Sequence, residues 1–156
     1  MKEKIYAHIR KARSLAQVNA QFLDLCRILR DDEHADRIGY VAGVLFSEGA
    51  DHVEQNIKKL NSYTELLRMK NPFPIFSSVD IFYDEEFYKN LAEANLPYQE
   101  RRTAFFQFYR DMLSSGYITD IFMTPRWEIS EGATDEHETA KKQNLTIWYV
   151  PQDSSI

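Results

Sequence analysis

Nine consecutive residues, Ile38-Gly39-Tyr40-Val41-Ala42-Gly43-Val44-Leu45-Phe46, carry no charge and are rich in β-branched and aromatic types. A run of that length and composition reads as a strand covered on both faces, which points to the interior of a parallel sheet. Parallel neighbours cannot be joined by a tight hairpin, so helical crossovers must separate the strands along the chain.

The flanking pattern supplies those crossovers. After the loop Ser47 to Asp51, the residues Val53, Ile57, Leu60, Tyr63, Leu66 and Leu67 repeat at helical spacing until Asn71-Pro72 breaks the helix. Pro74 to Val79 reads as a second strand, and Asp80 to Leu96 as a polar, aromatic-rich excursion with a short helix. A helix from Tyr98 to Leu113, a third strand from Ile118 to Met123, a helix from Gly132 to Gln143 and a fourth strand from Leu145 to Val150 follow, with a short polar tail from Pro151. Upstream, Lys2 to Arg30 has helical spacing throughout and predicts one long helix, or two with a break near Asn19.

Alternating strands and helices predict an α/β fold with a doubly wound, mostly parallel sheet of four or five strands, flavodoxin-like or Rossmann-like. The expected strand order is 2-1-3-4, with the strand at Ile38 beside the strand at Ile118. Residues 1–36 read as an added N-terminal helical segment, and residues 37–156 as the α/β domain. In such sheets ligands bind beyond the carboxyl ends of the strands. Here those ends lead into Gly43 to Phe46, Ser77 to Asp80 and Thr124 to Ser130.

Composition excludes several classes of partner. The net charge is −5 over 156 residues, the wrong sign for a general nucleic-acid or anionic-membrane surface. There is no apolar run of the roughly 20 residues that a spanning helix needs. Met1-Lys2-Glu3-Lys4 opens a charged helical pattern unlike a signal peptide, so a cytoplasmic location is expected. Cys26 is the only cysteine and reads as a small core residue. His8, His34 and His52 have no metal-ligand spacing, so neither a metal nor another cofactor is expected.

The segment richest in chemistry is Thr124 to Ala140, which follows a strand and opens a helix. Ser130-Glu131-Gly132-Ala133 presents free backbone amides at a helix N-terminus, and Gly132 allows close approach to the backbone. Glu136 falls near the first turn, where the helix dipole favours an ionised carboxylate. Glu128, Glu131, Asp135 and Glu138 crowd the same segment and would repel a phosphate unless turned outward or met by cations such as Arg126.

The order of these features resembles that of the nucleoside 2-deoxyribosyltransferase-like superfamily. Tyr40-Val41-Ala42-Gly43 closes a first strand, Asn56 lies in the next helix, and Arg110-Asp111 precedes a third strand. Trp127-Glu128-x-Ser130-x-Gly132-Ala133-x-x-Glu136 then forms the sharpest part of the match. The first-strand glycine is followed by Val44 where proline is usual. The resemblance implies that Glu136 attacks the anomeric carbon of a nucleoside or nucleotide, giving a covalent glycosyl intermediate as in a retaining glycosidase. It implies substrate contact for Asp111, and with the loop geometry it places Gly43, Trp127, Ser130, Gly132 and Ala133 around the ligand. Ser130 stands where the transferases carry aspartate and the nucleotide-hydrolysing branch carries serine, which tilts the expected substrate toward a nucleoside 5′-monophosphate. Members of the superfamily commonly form homodimers or larger assemblies, and the same is expected here.

Each of these residues also has a plain structural reading. Glu136 serves a helix dipole, Ser130 an N-cap, Asp111 a surface partner for Arg110, and Trp127 packing. His137 points about 100° away from Glu136 around a helix and is placed outside the site. A nucleotide-binding module without turnover is therefore the alternative to an enzyme.

Overall fold

The run at Ile38 does form an inner strand. In the structure, a computed structural model that describes residues 1–152, β1 (Gly39–Ala42) pairs in parallel with β2 (Ile75–Ser77) on one side and with β3 (Asp120–Met123) on the other. β4 (Thr146–Tyr149) adds in parallel to β3, giving the four-stranded order β2-β1-β3-β4. Both the order and the neighbouring of β1 with β3 agree with the sequence. Residues 153–156 of the polar tail lie outside the described residues.

The helices are α1 (Lys2–Ile9), α2 (Leu15–Arg27), α3 (Val53–Lys70), α4 (Ser78–Phe82), α5 (Glu85–Lys89), α6 (Tyr98–Leu113) and α7 (Glu131–Lys142). Alternation along the strands sorts side chains onto two faces. Tyr40, Ala42, Phe76, Ile121 and Met123 join a cluster with Ile5, Phe22 and Leu25 of the N-terminal helices, Met112 of α6 and Ala140 of α7. Val41, Ile75 and Phe122 face the other way, into a smaller cluster with Leu60 and Leu67 of α3. Helices on both faces make the sheet doubly wound. None of the helices among the described residues is long and apolar enough to cross a membrane.

The N-terminal segment is two helices, but the break falls at Arg10–Ser14, not at Asn19. Ser14 is extended and its hydroxyl accepts from the Gln17 amide, while the Gln17 side chain takes the Arg13 amide at 2.7 Å. Those two bonds satisfy amides that a new helix would otherwise leave open. α2 lies against the sheet: the Phe22 and Phe76 rings are 4.7 Å apart, and Phe76 is 5.3 Å from Tyr40. Residues 1–36 thus build one wall of the core that the sheet requires.

Two strands are shorter than their apolar runs. β1 ends at Ala42, whose carbonyl takes the last ladder bond, from the Thr124 amide at 2.9 Å; beyond it the Leu45 carbonyl accepts from the Asn56 side chain, and Val44 to Phe46 form a loop with Phe46 72% exposed. β2 ends at Ser77, whose hydroxyl accepts from the Val79 amide while the Asp80 carboxylate accepts from the Ser77 amide, the reciprocal cap that starts α4. The excursion from Asp80 therefore holds the end of α4, then α5 and a 3₁₀ turn at Ala92–Asn95.

Candidate functional site

After β1 the chain turns toward α3 on one face, and after β3 it turns toward α7 on the other, so the loops at Gly43 and Thr124 part at a topological switch point. Gly43 is what lets the two strand ends lie close. A Cβ there would stand 2.2 Å from the Thr124 hydroxyl, which donates to the Ala42 carbonyl at 3.0 Å. The same Cβ would stand 3.2 Å from Leu60, a member of the α3-side cluster, so Gly43 turns away from the face that holds Tyr40.

On the Tyr40 face, α7 delivers Glu136. Ser130 caps the helix with its hydroxyl on the Ala133 amide at 3.1 Å, and both Ser130 and Ala133 are buried. A Cβ on Gly132 would meet nothing nearer than the Ser130 hydroxyl at 3.9 Å, so packing does not demand glycine there and the helix end stays open to an approaching group. Glu136, about a turn and a half in from the helix start, points into the core and is only 8% exposed. The Tyr40 hydroxyl donates toward both of its oxygens, at 3.0 and 3.1 Å. Tyr109 of α6 lies 6.1 Å from the Tyr40 ring, ring centre to ring centre.

Electrostatics follow from this enclosure. Burial pushes the Glu136 carboxyl up to about 8; the Tyr40 hydrogen bond works against that shift and the neighbouring Asp135 charge adds to it. Burial likewise raises Tyr40 and Tyr109 well above the ordinary phenol value, with the Glu136 charge reinforcing both. At neutral pH the carboxyl is mostly protonated, so the ionised state suggested by its place in the helix gives way to desolvation.

Three of the four carboxylates crowding this segment are met by cations, and Glu128 has no ion pair among the described residues. Arg110 grips Asp135 through two bonds at 2.6 and 2.9 Å, Arg102 pairs with Glu131, and Lys141 lies 3.8 Å from Glu138. Two of the three cations come from α6, which makes α6 the neutralising neighbour of α7. Asp111, next to Arg110, is exposed and accepts from Gln107 on its own helix at 2.8 Å. The structure thus brings Tyr40, Tyr109 and Glu136 together and sets Asp111 on the surface. Trp127 stacks on His137 with ring centres 4.3 Å apart, and His137 reaches the Tyr149 hydroxyl at 2.7 Å, so one face of the indole is already covered by protein.

Tyr40 is the residue that reading the sequence did not single out. Its signal was there: a phenol inside an apolar run needs a partner for its hydroxyl once both faces of the strand are covered. A second feature was also missed, a crevice of about 450 Å³ on the α3 side of the switch point, lined by Val44, Asn56, Leu60, Tyr63, Thr124 and Arg126 among others. Arg126 pairs there with Glu48 at 2.8 Å, and Glu136 does not line it. Among the described residues no three His, Cys, Asp or Glu side chains are grouped so as to hold a metal ion. Comparison with family models, with curated proteins and with solved structures gives no match to this chain.

Proposed function

We propose that this domain cleaves or transfers at the N-glycosidic bond of a nucleoside 5′-monophosphate or nucleoside, with Glu136 as the nucleophile. The observation that supports the reading best is the hydrogen bonding of the Tyr40 hydroxyl to both oxygens of a buried carboxyl carried by the helix that opens at the switch point. A buried carboxyl fixed by a phenol is pre-oriented, and desolvation makes its ionised form a stronger nucleophile than a solvated carboxylate.

In this reaction one Glu136 oxygen bonds to the anomeric carbon as the bond to the base nitrogen breaks. The electron pair leaves with the base, which takes up a proton. Water, or a second base, then attacks the same carbon, gives up a proton to solvent and releases the Glu136 carboxylate, so configuration is retained over the two displacements. Tyr40 holds the carboxylate and stabilises its charge each time it is regenerated. A homodimer in the cytoplasm is the proposed working form.

A second reading, a nucleotide-binding module without turnover, draws support from the enclosure of Glu136 and from the separate crevice on the α3 side. One experiment divides them. Purified protein is incubated with a panel of nucleosides and 5′-monophosphates and free base is measured by chromatography, with Glu136→Gln in parallel. Base release that falls at least a thousandfold in the variant supports the enzyme; no release from any compound, with binding retained, supports the module.

A further inference from the structure

We propose that the crevice between the β1 and β3 loops binds a phosphomonoester through Arg126, and that Glu48 occupies Arg126 as an internal carboxylate until the ligand arrives. The starting observation is the tight turn that sets Arg126 at the crevice. Arg126 has φ 68° and ψ 17°, the left-handed region that ordinary side chains avoid. The other described non-glycine residues with positive φ, His34 after the π-helical turn Ile28–Asp32 and Asn144 after α7, stand just beyond helix ends, where a left-handed residue is a common terminator. Arg126 instead is the third residue of a β-turn that follows Pro125 and is closed by the Trp127 amide donating to the Thr124 carbonyl at 3.2 Å, a turn position where glycine or asparagine is usual.

Packing does not account for an arginine side chain at that position. The Arg126 side chain is 52% exposed and its ion pair is with Glu48, whose own side chain is 17% exposed and also accepts from the Asn56 carboxamide at 3.0 Å. An arginine kept at a turn position that favours glycine, without a packing role, is a functional candidate. Arg126 and Asn56 together present a guanidinium and an amide N–H to one anionic group, the donor set that a phosphate accepts as readily as a carboxylate.

The surroundings fit that ligand. The crevice is lined by three cations, Lys58, Lys59 and Arg126, against the one carboxylate of Glu48, in a chain whose net charge is −5. Lys58 faces Glu54 along its helix at 3.6 Å, while Lys59 has no ion pair among the described residues. About 450 Å³ is within the range that takes a nucleotide-sized molecule. An arriving phosphate carries more charge than the Glu48 carboxylate and displaces it from the guanidinium, freeing the loop that holds Glu48. The inference rests on the nucleotide reading for what the phosphate is attached to, but not for the phosphate contact itself.

The test titrates inorganic phosphate, ribose 5-phosphate and ribose into the full chain, followed by calorimetry or by amide chemical shifts. Wild type is expected to bind the first two and not ribose. Glu48→Gln removes the internal competitor and is expected to tighten phosphate binding about tenfold. Arg126→Gly, which places glycine where φ is positive, is expected to melt no lower than wild type yet to bind phosphate at least tenfold more weakly. Unchanged phosphate affinity in both variants overturns the proposal, as does undetectable binding in both wild type and Glu48→Gln. Phosphate binding that follows Glu48 and Arg126 without base release from any nucleotide leaves this site standing and removes the glycosidic reading. Base release without phosphate binding does the reverse.

Discussion

The Tyr40 hydroxyl and the Glu136 carboxyl, 96 residues apart in sequence, meet inside the sheet-helix interface at 3.0 and 3.1 Å. Tyr40→Phe leaves the ring packing in place and removes only that contact. The buried carboxyl then lacks its donor, so stability is expected to fall by about 1–3 kcal/mol in denaturant melts. Because the lost bond is one that lowers the Glu136 value, the alkaline rise of base release should also move to higher pH. A variant with wild-type stability and an unmoved profile would show that the contact is idle.

Glu136 also sets a pH dependence of stability, and the sign can be worked out. Its carboxyl keeps the proton up to about pH 8 in the fold but ionises around 4.5 when exposed. The folded state therefore binds more protons between those values. Its stabilising contribution is complete below the lower value and is lost as pH rises through the upper one. Glu136→Gln, neutral throughout, should match wild type at pH 5 and melt several degrees higher at pH 8. In the proposed reaction the ionised form is the attacking one, so base release should climb over the window in which wild-type stability declines. Parallel melting curves for the two proteins at both pH values would refute the buried acid.

Ser130→Ala probes the cap. Losing the hydroxyl on the Ala133 amide is expected to cost about 1 kcal/mol, read as a lower melting temperature. Phosphate affinity at the Arg126 crevice should stay within about twofold, since the capping hydroxyl points into its own helix end.

Asp111→Asn separates surface from site. The side chain is exposed and bonded to Gln107. Base release within about twofold of wild type is expected, because exposed positions without special partners tolerate substitution. A loss as large as that from Glu136→Gln would place Asp111 in the chemistry after all, through a movement of α6.

What could be read from sequence and what could not divides along physical lines. The inner strand at Ile38, the helix over Tyr98–Leu113 and the strand order were legible because burial writes a period into the sequence. The helix break was misplaced because Ser14 and Gln17 mark it through two side-chain bonds, a local signal inside an otherwise unbroken apolar spacing. Of the candidate site, Glu136 and Ser130 were found from the loop-helix pattern, and the structure buries both. Its partner Tyr40 was read as part of a strand because its ring is as apolar as its neighbours, and only the hydroxyl tip differs. Arg126 is legible in the sequence as a cation beside the acidic segment, but its pairing with Glu48 is not, because that contact joins two loops 78 residues apart.

The placement of α2 has one more consequence. Phe22 rests on Phe76 and Phe76 on Tyr40, so the N-terminal helices form the back wall that keeps water from the phenol and the carboxyl it holds. They act as insulation: a chain cut before residue 37 would admit solvent behind Tyr40, and Glu136 would return toward the acidity of an ordinary carboxyl. The segment that precedes the first strand thus governs the dielectric in which the sheet's most guarded proton sits.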